Sequence, residues 1–167
     1  MENSKDNSVQ TIGKSNHSNK KQIYSTIKYK HEAAKIMSED ITDKWVPGNL
    51  SNSEHVPCGP YARSFADKMG LEMGDYKVVS VFLVRHGPGY EAAPHTDEKY
   101  GESDRSGLFY LSCEGHSPSL DFPEINARVP AMPGLFVAFD SNLVHRVKKT
   151  DCSRMFLRID YILISGF

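Results

Sequence analysis

The rhythm of hydrophobic positions along the chain changes near residue 76. Beyond that point come short β-branched and aromatic runs: YKVVSVFLVR (76–85), GLFYLS (107–112), LDF (120–122), GLFVAFD (134–140), NLVHRV (142–147) and RMFLRIDYILI (154–164). Gly, Pro, Asn and Asp punctuate them, so the pattern predicts strands joined by turns. No helical pattern separates the strands, which favours an antiparallel sandwich or barrel over a parallel α/β sheet. The expected fold is mainly β with flanking N-terminal helices: a double-stranded β-helix, the cupin-like jelly roll.

The first 75 residues read differently. Residues 1 to 20 are rich in Ser, Asn and Lys with little to bury, and are expected to form a flexible tail. HEAAKIMSEDITDKW (31–45) has helix-forming composition, and Tyr61, Ala62, Phe65, Ala66 and Met69 recur at helical spacing, so two helices should lead the fold. Between them VPGNLSNSEHVPCGP (46–60) reads as a loop, either a plain connection or a substrate lid.

A chain of 167 residues can bury one core and is short for two, so residues 21–167 are assigned to a single domain. Cys58, Cys113 and Cys152 are odd in number and lack a C-x-x-C pair, which excludes a closed disulfide framework and suits a reducing, cytoplasmic setting. No apolar leader and no run of about 20 apolar residues is present, so no membrane association is expected. With 20 Lys plus Arg against 21 Asp plus Glu, the net charge offers no field for nucleic acid.

The candidate chemistry centres on His95-Thr96-Asp97. Residues two apart on an extended strand point the same way and can grip one ion together. His145, about 50 residues later in a predicted strand, can supply the third ligand. Two imidazoles and one carboxylate on one face of an octahedral ion leave three positions open, which suits non-haem Fe(II) with an organic co-substrate and O₂. Arg154, at the start of the last long strand, offers a planar fork for a carboxylate.

Through His95-Thr96-Asp97, PGLFVAFDSNLVHRV (133–147) and Arg154, the chain resembles the 2-oxoglutarate/Fe(II) oxygenases, especially their prolyl-hydroxylase-like branch. The resemblance covers roughly residues 76–167. It implies iron held by His95, Asp97 and His145, 2-oxoglutarate as co-substrate with its distal carboxylate on Arg154, and Tyr110 reaching that same carboxylate. Tyr110 is equally readable as a core aromatic. Arg158, four residues beyond Arg154 on the same strand face, could bind substrate or replace Arg154 as the anchor.

The chain lacks the Gly-Gly stretch frequent in peptide prolyl hydroxylases, and it keeps the metal carboxylate that halogenases usually lack. Hydroxylation of an amino-acid, peptidyl or natural-product C–H bond, with release of succinate and CO₂, is therefore the expected activity. Substrate contacts are sought in Arg85, His86 and Tyr90 of the RHGPGY loop and in EKYGESDRSG (98–107), although each of the three named residues also has an ordinary surface or packing explanation. His17, His31, His55 and His116 lack ligand-spaced partners and receive no metal role. The rival from another class is a non-catalytic, metal-binding jelly-roll module, for which a full metal triad together with a co-substrate arginine is more than would be needed.

Overall fold

The computed structural model describes residues 9–10, 21–41, 53–97, 103–113, 120–149 and 152–164. Its strands are β1 (Val9–Gln10), β2 (Ile23–Thr26), β3 (Ser53–Pro57), β4 (Tyr76–His86), β5 (Ala92–His95), β6 (Arg105–Cys113), β7 (Leu120–Phe122), β8 (Ala127–Val129), β9 (Phe136–Asp140), β10 (His145–Val147) and β11 (Arg154–Leu163). Two helices, α1 (Lys30–Glu39) and α2 (Pro60–Gly74), precede β4.

Seven strands form one sheet in the order β1-β2-β9-β6-β11-β4-β3, and four form a second in the order β5-β10-β7-β8. Every pairing recorded among them is antiparallel. The result is the double-stranded β-helix that the strand pattern predicts.

Alternation along the strands sorts side chains into two cores. Leu157, Ile159 and Tyr161 of β11 join Phe109 of β6 and Val81 and Leu83 of β4 beneath the helices. Phe156, Val84, Val137 and Phe139 turn the other way and meet Leu120, Phe122 and Leu143 between the two sheets. The second core borders the site described below.

The buried stripe of α2 is Ala62, Phe65, Ala66, Met69 and Gly70, the spacing of one helical face. Tyr61, expected on that face, is 43% exposed and lies under Lys35 Nζ at 4.7 Å. Helix α2 starts with Pro60 at its first turn, where the missing N–H removes no hydrogen bond. Its N-terminal amides are capped from a distance: Asp40, just past α1, accepts from the N–H of Tyr61 at 3.2 Å and of Ala62 at 2.6 Å. Phe65 then stacks on Phe109 with centroids 4.0 Å apart, fixing the helix on the sheet.

Three expectations change. The segment read as a loop contains β3, whose Val56 pairs with Leu83 and whose Pro57 is tolerated because β3 is an edge strand. Turn-forming residues around it hide a short pairing stretch. Helix α1 ends at Glu39 rather than near residue 45, and residues 42–45 lie outside the described ones. Of the expected tail only residues 9–10 are described, paired with Tyr24 and Ile23; the rest lies outside the described residues. Among the described residues no helix is long and apolar enough to cross a membrane.

The cap provides a stability test. Asp40→Ala should lower the unfolding free energy by about 1 kcal/mol, the usual cost of losing a helix N-cap. Asp40→Asn should recover most of it. Urea unfolding followed by circular dichroism measures both, and an unchanged midpoint in Asp40→Ala would refute the capping role.

Candidate metal centre

His95 ends β5 and His145 begins β10, and the two residues are direct cross-strand partners in the smaller sheet. Their rings lie 4.3 Å apart, centroid to centroid. Each ring meets a backbone carbonyl two residues earlier: His95 Nδ1 meets the Ala93 oxygen at 2.6 Å and His145 Nδ1 meets the Leu143 oxygen at 3.1 Å. A carbonyl can only accept, so Nδ1 must carry the proton, which leaves the Nε2 lone pair of a neutral ring for a ligand.

Asp97 completes the group, although not from the strand on which it was expected. Strand β5 stops at His95, and Asp97 sits in the bend beyond it, held by its N–H donating to the Ser141 oxygen at 3.0 Å. Its Oδ1 lies 3.5 Å from His145 Nε2 and 3.8 Å from His95 Nε2. Its Oδ2 accepts from the Ser106 hydroxyl at 2.7 Å. One oxygen is thus engaged by the protein while the other faces the imidazoles. The three candidate ligand atoms lie within 4.8 Å of one another.

Burial pushes the Asp97 carboxyl up, but His145 when its ring is protonated, through a hydrogen bond and its charge, together with the Ser106 hydroxyl and the Arg158 charge, outweighs it and brings it down to about 2. The group is therefore a carboxylate throughout the neutral range. Two imidazole nitrogens and one carboxylate oxygen on one side of a small space are a donor set that fits a divalent transition metal.

The triad opens into a cavity of about 100 Å³ between the sheets. His86, Tyr90 and Arg158 line it, as does His55, for which the sequence offered no role. Its walls are otherwise largely apolar, with Val84, Leu108 and Phe156 among them. Arg154 and Tyr110 are not lining residues. Both are nearly fully buried, and Arg154 reaches the cavity wall through its Nε, 3.4 Å from His86 Nδ1.

His86 is held down at about 3 by burial first, then by the Arg154 and His55 charges, so it is a neutral acceptor for Arg154. Tyr90 stacks on it at 3.6 Å. Burial likewise raises the Tyr110 hydroxyl, against the lowering effect of the Arg154 charge, and keeps it protonated. Neither His86 nor Arg85 is the solvated residue its place near a loop suggested: both belong to β4 and are buried. Arg85 alternates away from His86 and does not line the cavity. Residues 98–102 of the polar segment after Asp97 lie outside the described residues.

No protein-family model and no curated protein matches this sequence. Solved structures do share its fold. A viral collagen prolyl hydroxylase from Paramecium bursaria Chlorella virus-1, in its 2-oxoglutarate complex, is 15% identical over 88% of this chain and 98% of its own, with a TM-score of 0.60. HygX from Streptomyces hygroscopicus, with nickel and 2-oxoglutarate bound, is 11% identical over 92% of this chain and 84% of its own, with a TM-score of 0.63. The non-haem α-ketoglutarate-dependent epimerase SnoN from nogalamycin biosynthesis is 13% identical over 84% and 77%, with a TM-score of 0.60. The jelly roll is therefore the one these oxygenases use.

Ser106 offers a direct test of the site. Ser106→Ala removes the hydrogen bond to Asp97 Oδ2 and should weaken divalent-metal binding by roughly 10- to 100-fold, the usual effect of losing a partner behind a ligand. Calorimetric titration with Mn(II) reads this, and an unchanged affinity would show that Ser106 does not orient the carboxylate.

Proposed function

We propose that this chain is an Fe(II)- and 2-oxoglutarate-dependent dioxygenase that hydroxylates a C–H bond of a small-molecule or peptidyl substrate, with release of succinate and CO₂. The observation that carries the proposal is the convergence of His95 Nε2, His145 Nε2 and Asp97 Oδ1 at a cavity in this fold, with each Nδ1 already committed to a carbonyl. His95, Asp97 and His145 would hold the iron. Bound together, iron, 2-oxoglutarate and O₂ supply the oxidising power, which no side chain of the protein could provide.

The remaining tasks belong to the chain. Asp97 contributes a permanent negative charge, and Ser106 limits that carboxylate to one oxygen for the metal. Arg154 is assigned to the distal carboxylate of 2-oxoglutarate: its fork suits a carboxylate, and a guanidinium that is only 3% exposed gains most from an anionic partner. Neutral His86 orients its Nε edge without competing as a cation. Tyr110 keeps its proton and can donate to the same carboxylate. Val84, Leu108 and Phe156 keep the cavity apolar, which strengthens each charge interaction inside and limits water near the reacting carbon. Tyr90 covers His86 and, with it, borders the space left for substrate.

The 2-oxoglutarate complexes of HygX and of the viral hydroxylase support the choice of co-substrate. An epimerase on the same fold supports the oxygenase class more firmly than the hydroxylation outcome.

Protein loaded with Fe(II) without air, then given 2-oxoglutarate and O₂, should form succinate in an iron-dependent manner. His95→Ala should reduce it to background. Arg154→Ala should raise the 2-oxoglutarate needed for half-maximal rate by roughly 10-fold or more, the loss expected of a charged hydrogen-bonded pair. Wild-type protein that makes no succinate and shows no visible charge-transfer band with Fe(II) and 2-oxoglutarate would overturn the reading.

A further inference from the structure

Away from the metal centre, the outer face of the smaller sheet carries a row of charges across three strands. Arg128 of β8 is the cross-strand partner of Asp121 of β7, and Asp121 is the partner of Arg146 of β10. His145 and Val147 of β10 line the cavity between the sheets, so Arg146 between them turns outward. Arg128 Nε donates to Asp121 Oδ1 at 3.1 Å. Arg146 Nε and Lys148 Nζ approach Asp121 Oδ2 at 3.6 and 3.9 Å, beyond hydrogen-bond distance.

Three cations thus converge on one carboxylate, which leaves two positive charges in excess among these four groups. The carboxylate lies beneath them: the Asp121 side chain is 7% exposed, against 65% for Arg128, 41% for Arg146 and 52% for Lys148. The field these groups present to solvent is therefore positive. A concavity of about 230 Å³ opens on the same face, lined by Asn126, Arg128 and Arg146 beside Pro123 and Ala127. Arg146 Nε is shielded from solvent and has no hydrogen-bond partner among the described residues. A donor in that state gains most from an ionised acceptor, because its hydration is already lost.

We propose that this face binds a dianionic phosphate group, free or esterified to a small molecule, through Arg128 and Arg146 with Lys148 adding charge. The two surplus charges match a dianion. A tetrahedral oxyanion presents oxygens in several directions, toward guanidiniums that arrive from two different strands. Each guanidinium fork suits phosphate, and the lysine acts as a point charge. Pro123 and Ala127 give the organic part of an ester an apolar neighbour. The site stands on the face of β10 opposite His145 and does not depend on the oxygenase reading.

The test is calorimetric titration of the intact chain at low ionic strength with no metal added, so that phosphate cannot be held by an ion. Inorganic phosphate and phenyl phosphate at about pH 8, where both are dianions, are compared with acetate. Both phosphates should bind saturably, and acetate at least about 10-fold more weakly, as its lower charge requires. Tighter binding of phenyl phosphate than of inorganic phosphate identifies an ester as the ligand; the reverse order identifies free phosphate. Arg146→Gln should weaken phosphate binding by roughly 10-fold, the loss of one charge-assisted contact, and Arg146→Lys should recover part of it. Lys148→Gln should weaken it as well, and carries the test should Arg146→Gln fold poorly by circular dichroism. Lys77→Gln, the same charge change on an exposed position of β4, should leave it within about twofold. Absence of saturable phosphate binding would overturn the proposal, as would acetate binding as tightly as phosphate. Equal losses in Lys77→Gln and Arg146→Gln, or undiminished affinity in both Arg146→Gln and Lys148→Gln, would overturn it too.

Discussion

Strand β11 is hydrogen-bonded along its length to β4 on one side and β6 on the other. Because side chains alternate strictly along such a strand, its register decides at once what the helices rest on and what the site contains. Leu157, Ile159 and Tyr161 go to the helix side; Phe156 and the two arginines go to the cavity side. The Tyr161 hydroxyl, donating to the Ala66 oxygen at 2.8 Å, ties that register to α2. Close packing maintains it: a Cβ at Gly70 would come within 2.4 Å of the Tyr76 carbonyl oxygen. The packing of the helices and the chemistry of the cavity therefore depend on the register of one strand.

The smaller sheet performs the complementary task. Its direct pairing of His95 with His145 brings two histidines from distant parts of the sequence into one candidate metal centre. The larger sheet contributes Ser106, and through it the orientation of Asp97. Each sheet thus supplies part of the centre, and the cavity exists because they face one another.

Much of this could be read from the residues. The strand runs were legible because branched and aromatic residues cluster, and the H-x-D triplet with a later histidine and arginine was legible because few other uses need that order. Less visible were features set by partners rather than by local pattern. Ser106 resembles any strand serine until Asp97 stands 2.7 Å away. His55 looks like a loop residue because its strand is short and flanked by turn formers, and only pairing with β4 brings it to the cavity. Asp97 was assigned to a strand on spacing alone, whereas its position depends on the Ser141 carbonyl, 44 residues later in a turn. Arg85 and His86 adjoin a glycine- and proline-rich turn, and their burial follows from β4 reaching His86, which local composition does not signal.

The short bonds from each imidazole to a carbonyl two residues earlier bear on how the protein would respond to a bound metal ion. Ring orientation is set within a three-residue stretch of chain, and both hydrophobic cores are built from other side chains, with the His145 ring resting on Phe139 of the second. An ion bound there acts on the folded state by mass action, adding about 2.7 kcal/mol at a free concentration 100 times its dissociation constant. On the reading proposed above, metal supply would adjust the protein's melting temperature continuously instead of switching folding on and off.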